Sequence, residues 1–142
     1  DVYKRQNPFI LIARIQIKEG MVDNYLSIAD EVDKAVEASE PGMLFHNFDA
    51  DPIDPLAYTW TEIYKNSEAF LKHNANPPVG EYVTKHAELG DGFSIEIYGN
   101  VSQDVIDAIN ALLYKFKSVS PSNESPIKRY LVLPVELGLP IT

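Results

Sequence analysis

The chain has 142 residues, 45% of them hydrophobic, enough for one domain that buries a core without disulfide or metal staples. It has no cysteine, which excludes thiolate zinc sites, thiol nucleophiles and disulfide frameworks. Twelve basic against twenty-one acidic residues give a net charge of −9, which repels nucleic-acid phosphates, and no Lys/Arg cluster offsets it. No apolar run approaches the ~20 residues that span a bilayer, since "FILIARIQI" is broken by Arg14 and Gln16. The expectation is a soluble cytoplasmic protein with no nucleic-acid or membrane partner.

Residues 1–6, "DVYKRQ", match one reading frame of a transposon mosaic end used in sequencing libraries, GAT GTG TAT AAG AGA CAG. They read as a translated adapter from a metagenomic source and are set aside from the fold. "PFILIARIQI" (8–17) alternates with β-branched residues and predicts a strand. From 21 to 40, apolar residues at Val22, Tyr25, Leu26, Ala29, Val32 and Val36 predict a helix with one buried stripe and an acidic outer face, ended by "EPG". "MLFHNFDA" (43–50) and "LAYTWTEIY" (56–64) read as a hairpin around the turn region "DPIDP", with Leu44 and Phe48 sharing one face of the first strand. A helix capped by Asn66 or Ser67 follows, is interrupted at "NPP", and resumes from about Val79 to Leu89. "GFSIEIYG" (92–99) is a fourth strand. A helix capped by Ser102, a polar linker "SVSPSNESP" and a strand interrupted by Pro134 form a C-terminal extension.

The order βαββαβ over 7–100 predicts an α+β, ferredoxin-like sandwich: two helices on one face of a four-stranded antiparallel sheet. The strands carry large apolar residues on both faces, so the open face needs a cover, most simply a second copy. The extension, 101–142, packs on the same domain or on that partner.

Several residues invite a chemical reading. Period two puts Tyr58, Trp60, Glu62 and Tyr64 on one face of the third strand. Trp60 and Tyr64 suit the wall of a pocket for a planar phenol, while Glu62 reads as a structural partner of Arg14 on the neighbouring strand. His73, three residues after Phe70, borders the buried face of its helix, where a neutral imidazole can take a phenolic proton; its structural alternative is a surface or core histidine. Tyr82 and His86 are four apart on one helix face, and His46 lies on an apolar strand face; all three are candidate pocket residues. The three histidines and Glu62 lie on separate elements without a metal-ligand spacing, so no metal is expected.

"EPG", "DADPIDP", "TEIY" with Glu62, and "NSEAFLKH" with His73, in that order over residues 8–99, resemble the antibiotic biosynthesis monooxygenase (ABM) family of dimeric α+β barrels. The family's frequent tryptophan is replaced here by Tyr64, and the C-terminal extension lies outside its common pattern. The resemblance implies a homodimer whose sheets face one another, and a cofactor-independent oxidation of a small aromatic, quinol or polyketide-type molecule. In that reading His73 is the catalytic base, and Trp60, Tyr64, Tyr82, His86 and His46 bind substrate. A barrel that only binds an apolar ligand, and a related cyclase or isomerase, are the alternatives.

Overall fold

The computed structural model describes residues 7–116 and the short strand at 127–130; residues 1–6, the linker and the Pro134 region lie outside the described residues. The chain runs β1 (Phe9–Ile17), α1 (Val22–Ser39), β2 (Met43–Ala50), β3 (Ala57–Tyr64), α2 (Ser67–Ala75), α3 (Pro77–Leu89), β4 (Gly90–Tyr98), α4 (Gln103–Phe116) and β5 (Ile127–Tyr130). The sheet order is β2-β3-β1-β4-β5. The first four strands pair antiparallel, as a ferredoxin-like βαββαβ unit requires, and β5 adds to the edge of β4 in parallel.

Alternation in β1 sets the two faces. Phe9, Leu11, Ala13, Ile15 and Ile17 are at most 3% exposed and meet Tyr25, Ala29, Val32 and Val36 of α1, whose spacing makes one buried helix stripe. Each large side chain removed from water there contributes about 1.5–3 kcal/mol. Val105, Ile109 and Leu113 of α4 are equally buried, so that helix closes the same core, against α2 and β4.

Four sequence expectations change. Leu26, expected in the buried stripe of α1, is 37% exposed, because it sits one position off the row of Tyr25, Ala29, Val32 and Val36. The second helix resumes at Pro77 rather than near Val79, because a proline at the first helical positions gives up an N–H that has no intrahelical acceptor anyway. The β2–β3 register shifts between Met43 and Phe45, a bulge that leaves Met43 buried but turns Leu44 out at 55% exposure, so Leu44 does not share the inner face with Phe48. Glu62 does not pair with Arg14. Glu62 stands opposite Leu11 and shares its inner face, whereas Arg14, three positions along, stands opposite Thr59 on the outer face and binds Glu96 at 3.0 Å.

The outer face carries no helix among the described residues. Phe45, Ile63, Ile10 and Tyr98 line up across four strands there, with Phe45 47% and Ile10 38% exposed.

Candidate active site

A cavity of about 70 Å³ lies between the inner sheet face and the helices. Trp60, Tyr82, Phe93, Val32 and Val79 supply apolar lining; His46, Glu62, Tyr64, His73 and Asp33 supply the polar groups. A cavity of ~150 Å³ accommodates benzene, so this one is limited to a single ring, and only if side chains yield or part of the ligand stays in the mouth. Of the six residues singled out in the sequence, His73, Trp60, Tyr64, Tyr82 and His46 line it, and His86 does not.

His73 is placed by α2, which begins where the Asn66 side chain accepts from the Ala69 N–H at 2.9 Å. Its Nδ1 lies 2.9 and 3.1 Å from the two Glu40 carboxylate oxygens, and Glu40 is itself held by Asn76 at 2.8 Å. With Glu40 as acceptor, the proton of a neutral imidazole sits on Nδ1 and the Nε2 lone pair is left free, 3.8 Å from Glu62 Oε2. Burial opposes the imidazolium, but the Glu62 charge and the Glu40 hydrogen bond outweigh it, so the His73 pKa is raised. Burial likewise pushes the Glu62 carboxyl up, and the positive charge of His73 and the Tyr64 hydrogen bond, 3.1 Å, pull it back only in part.

His46 occupies the other polar edge. Its Nδ1 bonds Asp33 and its Nε2 lies 2.8 Å from Glu37, so both ring nitrogens are engaged by α1. Burial works against its charge, and the two carboxylates raise its pKa nonetheless.

Behind the apolar wall runs a buried hydrogen-bonded chain. The Trp60 indole N–H donates to Tyr82 Oη at 2.9 Å, the Tyr82 and Tyr25 hydroxyls lie 2.5 Å apart, and Tyr25 Oη is 2.7 Å from His86 Nδ1. Burial drives the His86 pKa down to about 4, so near pH 7 the ring is neutral and shares one hydrogen bond with the Tyr25 hydroxyl. His86 is thus placed to orient the cavity wall from behind.

Glu40, Asp33 and Glu37 escaped the sequence reading, which took "EPG" as a helix stop and the acids as a solvated face. Their spacing, i, i+4 and i+7, with Asp33 and Glu37 in α1 and Glu40 at its C-cap, was the available signal; which imidazoles they would meet was not in the sequence.

The sequence profile of antibiotic biosynthesis monooxygenases matches residues 8–85. No curated protein matches the chain closely enough to count as a relative. Solved structures similar to this one include a Bacteroides thetaiotaomicron protein provisionally named an antibiotic biosynthesis monooxygenase, at 24% identity, covering 63% of this chain and 85% of that one with a TM-score of 0.60. A Caulobacter crescentus protein with the same provisional name has 17% identity, 69% and 93% coverage and a TM-score of 0.64. A Pseudomonas aeruginosa protein has 17% identity, 69% and 98% coverage and a TM-score of 0.61. These likenesses establish a shared fold, and with a profile match over more than half its length the chain belongs to the antibiotic biosynthesis monooxygenase family.

Proposed function

We propose that the protein is a monooxygenase-like enzyme that oxidises a small phenol or quinol with dioxygen, using His73 as the base. The observation that carries this reading is a cavity-lining imidazole whose Nδ1 is held by Glu40 and whose Nε2 is free to take a proton. The phenolic proton passes to Nε2, and Glu62 and Glu40 stabilise the imidazolium that results. The phenolate gives one electron to dioxygen, the phenoxyl radical and superoxide recombine at a ring carbon, and the hydroperoxide loses water to leave a quinone. One oxygen atom enters the product, the other leaves as water, and no external reductant is consumed. The narrow cavity favours a single ring over a fused polyketide. Oxygen uptake with a panel of hydroquinones and phenols tests the reading: consumption above buffer, lost in His73→Ala, is expected, and uptake unchanged by that variant removes His73 from the role.

A second reading, a protein that binds without turnover, has one observation in its favour. The raised His73 pKa favours the imidazolium, an acid rather than a base, toward neutral pH. Ligand-dependent quenching of Trp60 without oxygen uptake would select it.

The active unit in this proposal is a homodimer joined through the open sheet face, where the apolar row of Phe45, Ile63 and Ile10 needs a cover. Light scattering at micromolar concentration should report twice the chain mass, and a monomer there overturns the dimer.

A further inference from the structure

One acceptor in the cavity has no hydrogen-bond donor among the described residues. Glu62 is 9% exposed; its Oε2 accepts from Tyr64 and faces His73, while its Oε1 accepts no hydrogen bond among the described residues. Every fully enclosed side-chain nitrogen and oxygen among those residues is bonded, so Oε1 keeps accessible surface, and the surface available to Glu62 is the cavity it lines. A buried carboxylate oxygen left facing an apolar space is costly unless something donates to it. The surrounding charge narrows what that donor can be. Four carboxylates, Asp33, Glu37, Glu40 and Glu62, bracket the two imidazoles, so even with both protonated the excess is negative. No Lys or Arg lines the cavity among the described residues.

We propose that this cavity takes an aromatic ring that donates a hydrogen bond to Glu62 Oε1 and carries no negative charge, that a protonated amine on the ring's side chain is accepted, and that a carboxylate is rejected. The inference deepens the reading above by naming the ligand's charge class, and it rests on the cavity being the ligand site. Position for position, a two-hydroxyl ring suits the geometry: one hydroxyl faces His73 Nε2 and the other donates to Glu62. An acid group on the same ring would enter a low-dielectric space already holding excess negative charge, with no cation to meet it.

The test uses three catechols that share a ring and differ in side-chain charge: dopamine, 4-ethylcatechol and 3,4-dihydroxyphenylacetate. Trp60 is the chain's single tryptophan and stands in the cavity wall, so its fluorescence, read without oxygen, reports binding directly. The amine and the neutral catechol should bind at least tenfold more tightly than the acid. Glu62→Gln, which removes the charge but keeps an acceptor oxygen, should shrink that gap. Should Glu62→Gln fail to fold, Asp33→Asn on the cavity's half-exposed edge should shrink the gap in the same direction. An acid that binds as tightly as the amine, or a gap unmoved in the folded variants, overturns the inference, as does absence of quenching by all three. The expected charge order without oxygen uptake keeps this inference and ends the monooxygenase reading; oxygen uptake with the order reversed does the opposite.

Discussion

Acidification should destabilise this protein through His86 before it protonates most of the surface carboxylates. The folded ring is 2% exposed, packed by Phe93 and Phe116 at centroid distances of 4.9 and 4.6 Å, and its pKa falls from 6.5 to about 4 by burial. The unfolded chain takes up that proton near pH 6.5 and the folded chain only near 4, so in between unfolding binds a proton and stability falls as the pH drops. At about 1.4 kcal/mol per pH unit the whole window is worth roughly 3 kcal/mol, and about 2 kcal/mol is expected once partial relaxation of the site is allowed. Glu62, whose carboxyl is raised by burial, works in the opposite sense below neutrality, so the His86 contribution is read against a variant. His86→Asn keeps an acceptor near the Tyr25 hydroxyl and removes the titration. Urea melts followed by Trp60 fluorescence at pH 7.5 and 4.5 should show the wild type losing about 2 kcal/mol more than the variant. Parallel losses in the two proteins would refute the argument that a buried neutral His86 carries this pH dependence.

Glu40→Gln should lower turnover by ~10-fold or more and His73→Ala by ~10²-fold or more, and the wild-type rate should climb as pH rises through the raised His73 pKa, because only the neutral imidazole is a base. Steady-state oxygen consumption across pH checks both. Gly90→Ala should cost about 1–3 kcal/mol in a thermal melt, since the added Cβ would sit 2.3 Å from His86 Cε1 and must displace the ring from Tyr25. In a double-mutant cycle, Arg14→Ala and Glu62→Gln should add within ~0.5 kcal/mol, because the two side chains lie on opposite faces of the sheet; a larger coupling in urea melts would contradict the register.

Local chemistry in the sequence determined most of the fold. Alternation in "FILIARIQI", the stripe from Tyr25 to Val36 and the break at "NPP" each follow from one element's own periodicity or covalent geometry, and each appears in the structure within a few residues of its expected bounds. The face shared by Trp60, Glu62 and Tyr64 was equally legible, because period two needs no partner strand. What the sequence left open was every relation that depends on register or on helix rotation against the sheet. The bulge at Leu44 arises only when β2 is laid on β3. The choice between Arg14 and His73 as neighbour of Glu62 is made by which strand residues stand opposite one another, since a carboxylate can attract either cation and sequence proximity favours neither. Glu40 and His73 lie 33 positions apart, and Tyr25 and His86 lie 61 apart; they meet because α1 packs against α3 and its C-cap residue Glu40 reaches the end of α2, burying polar groups that must then find each other. Helix periodicity put these residues on the right faces, and the packing of those faces decided which imidazole can act as a base and which stays buried and neutral.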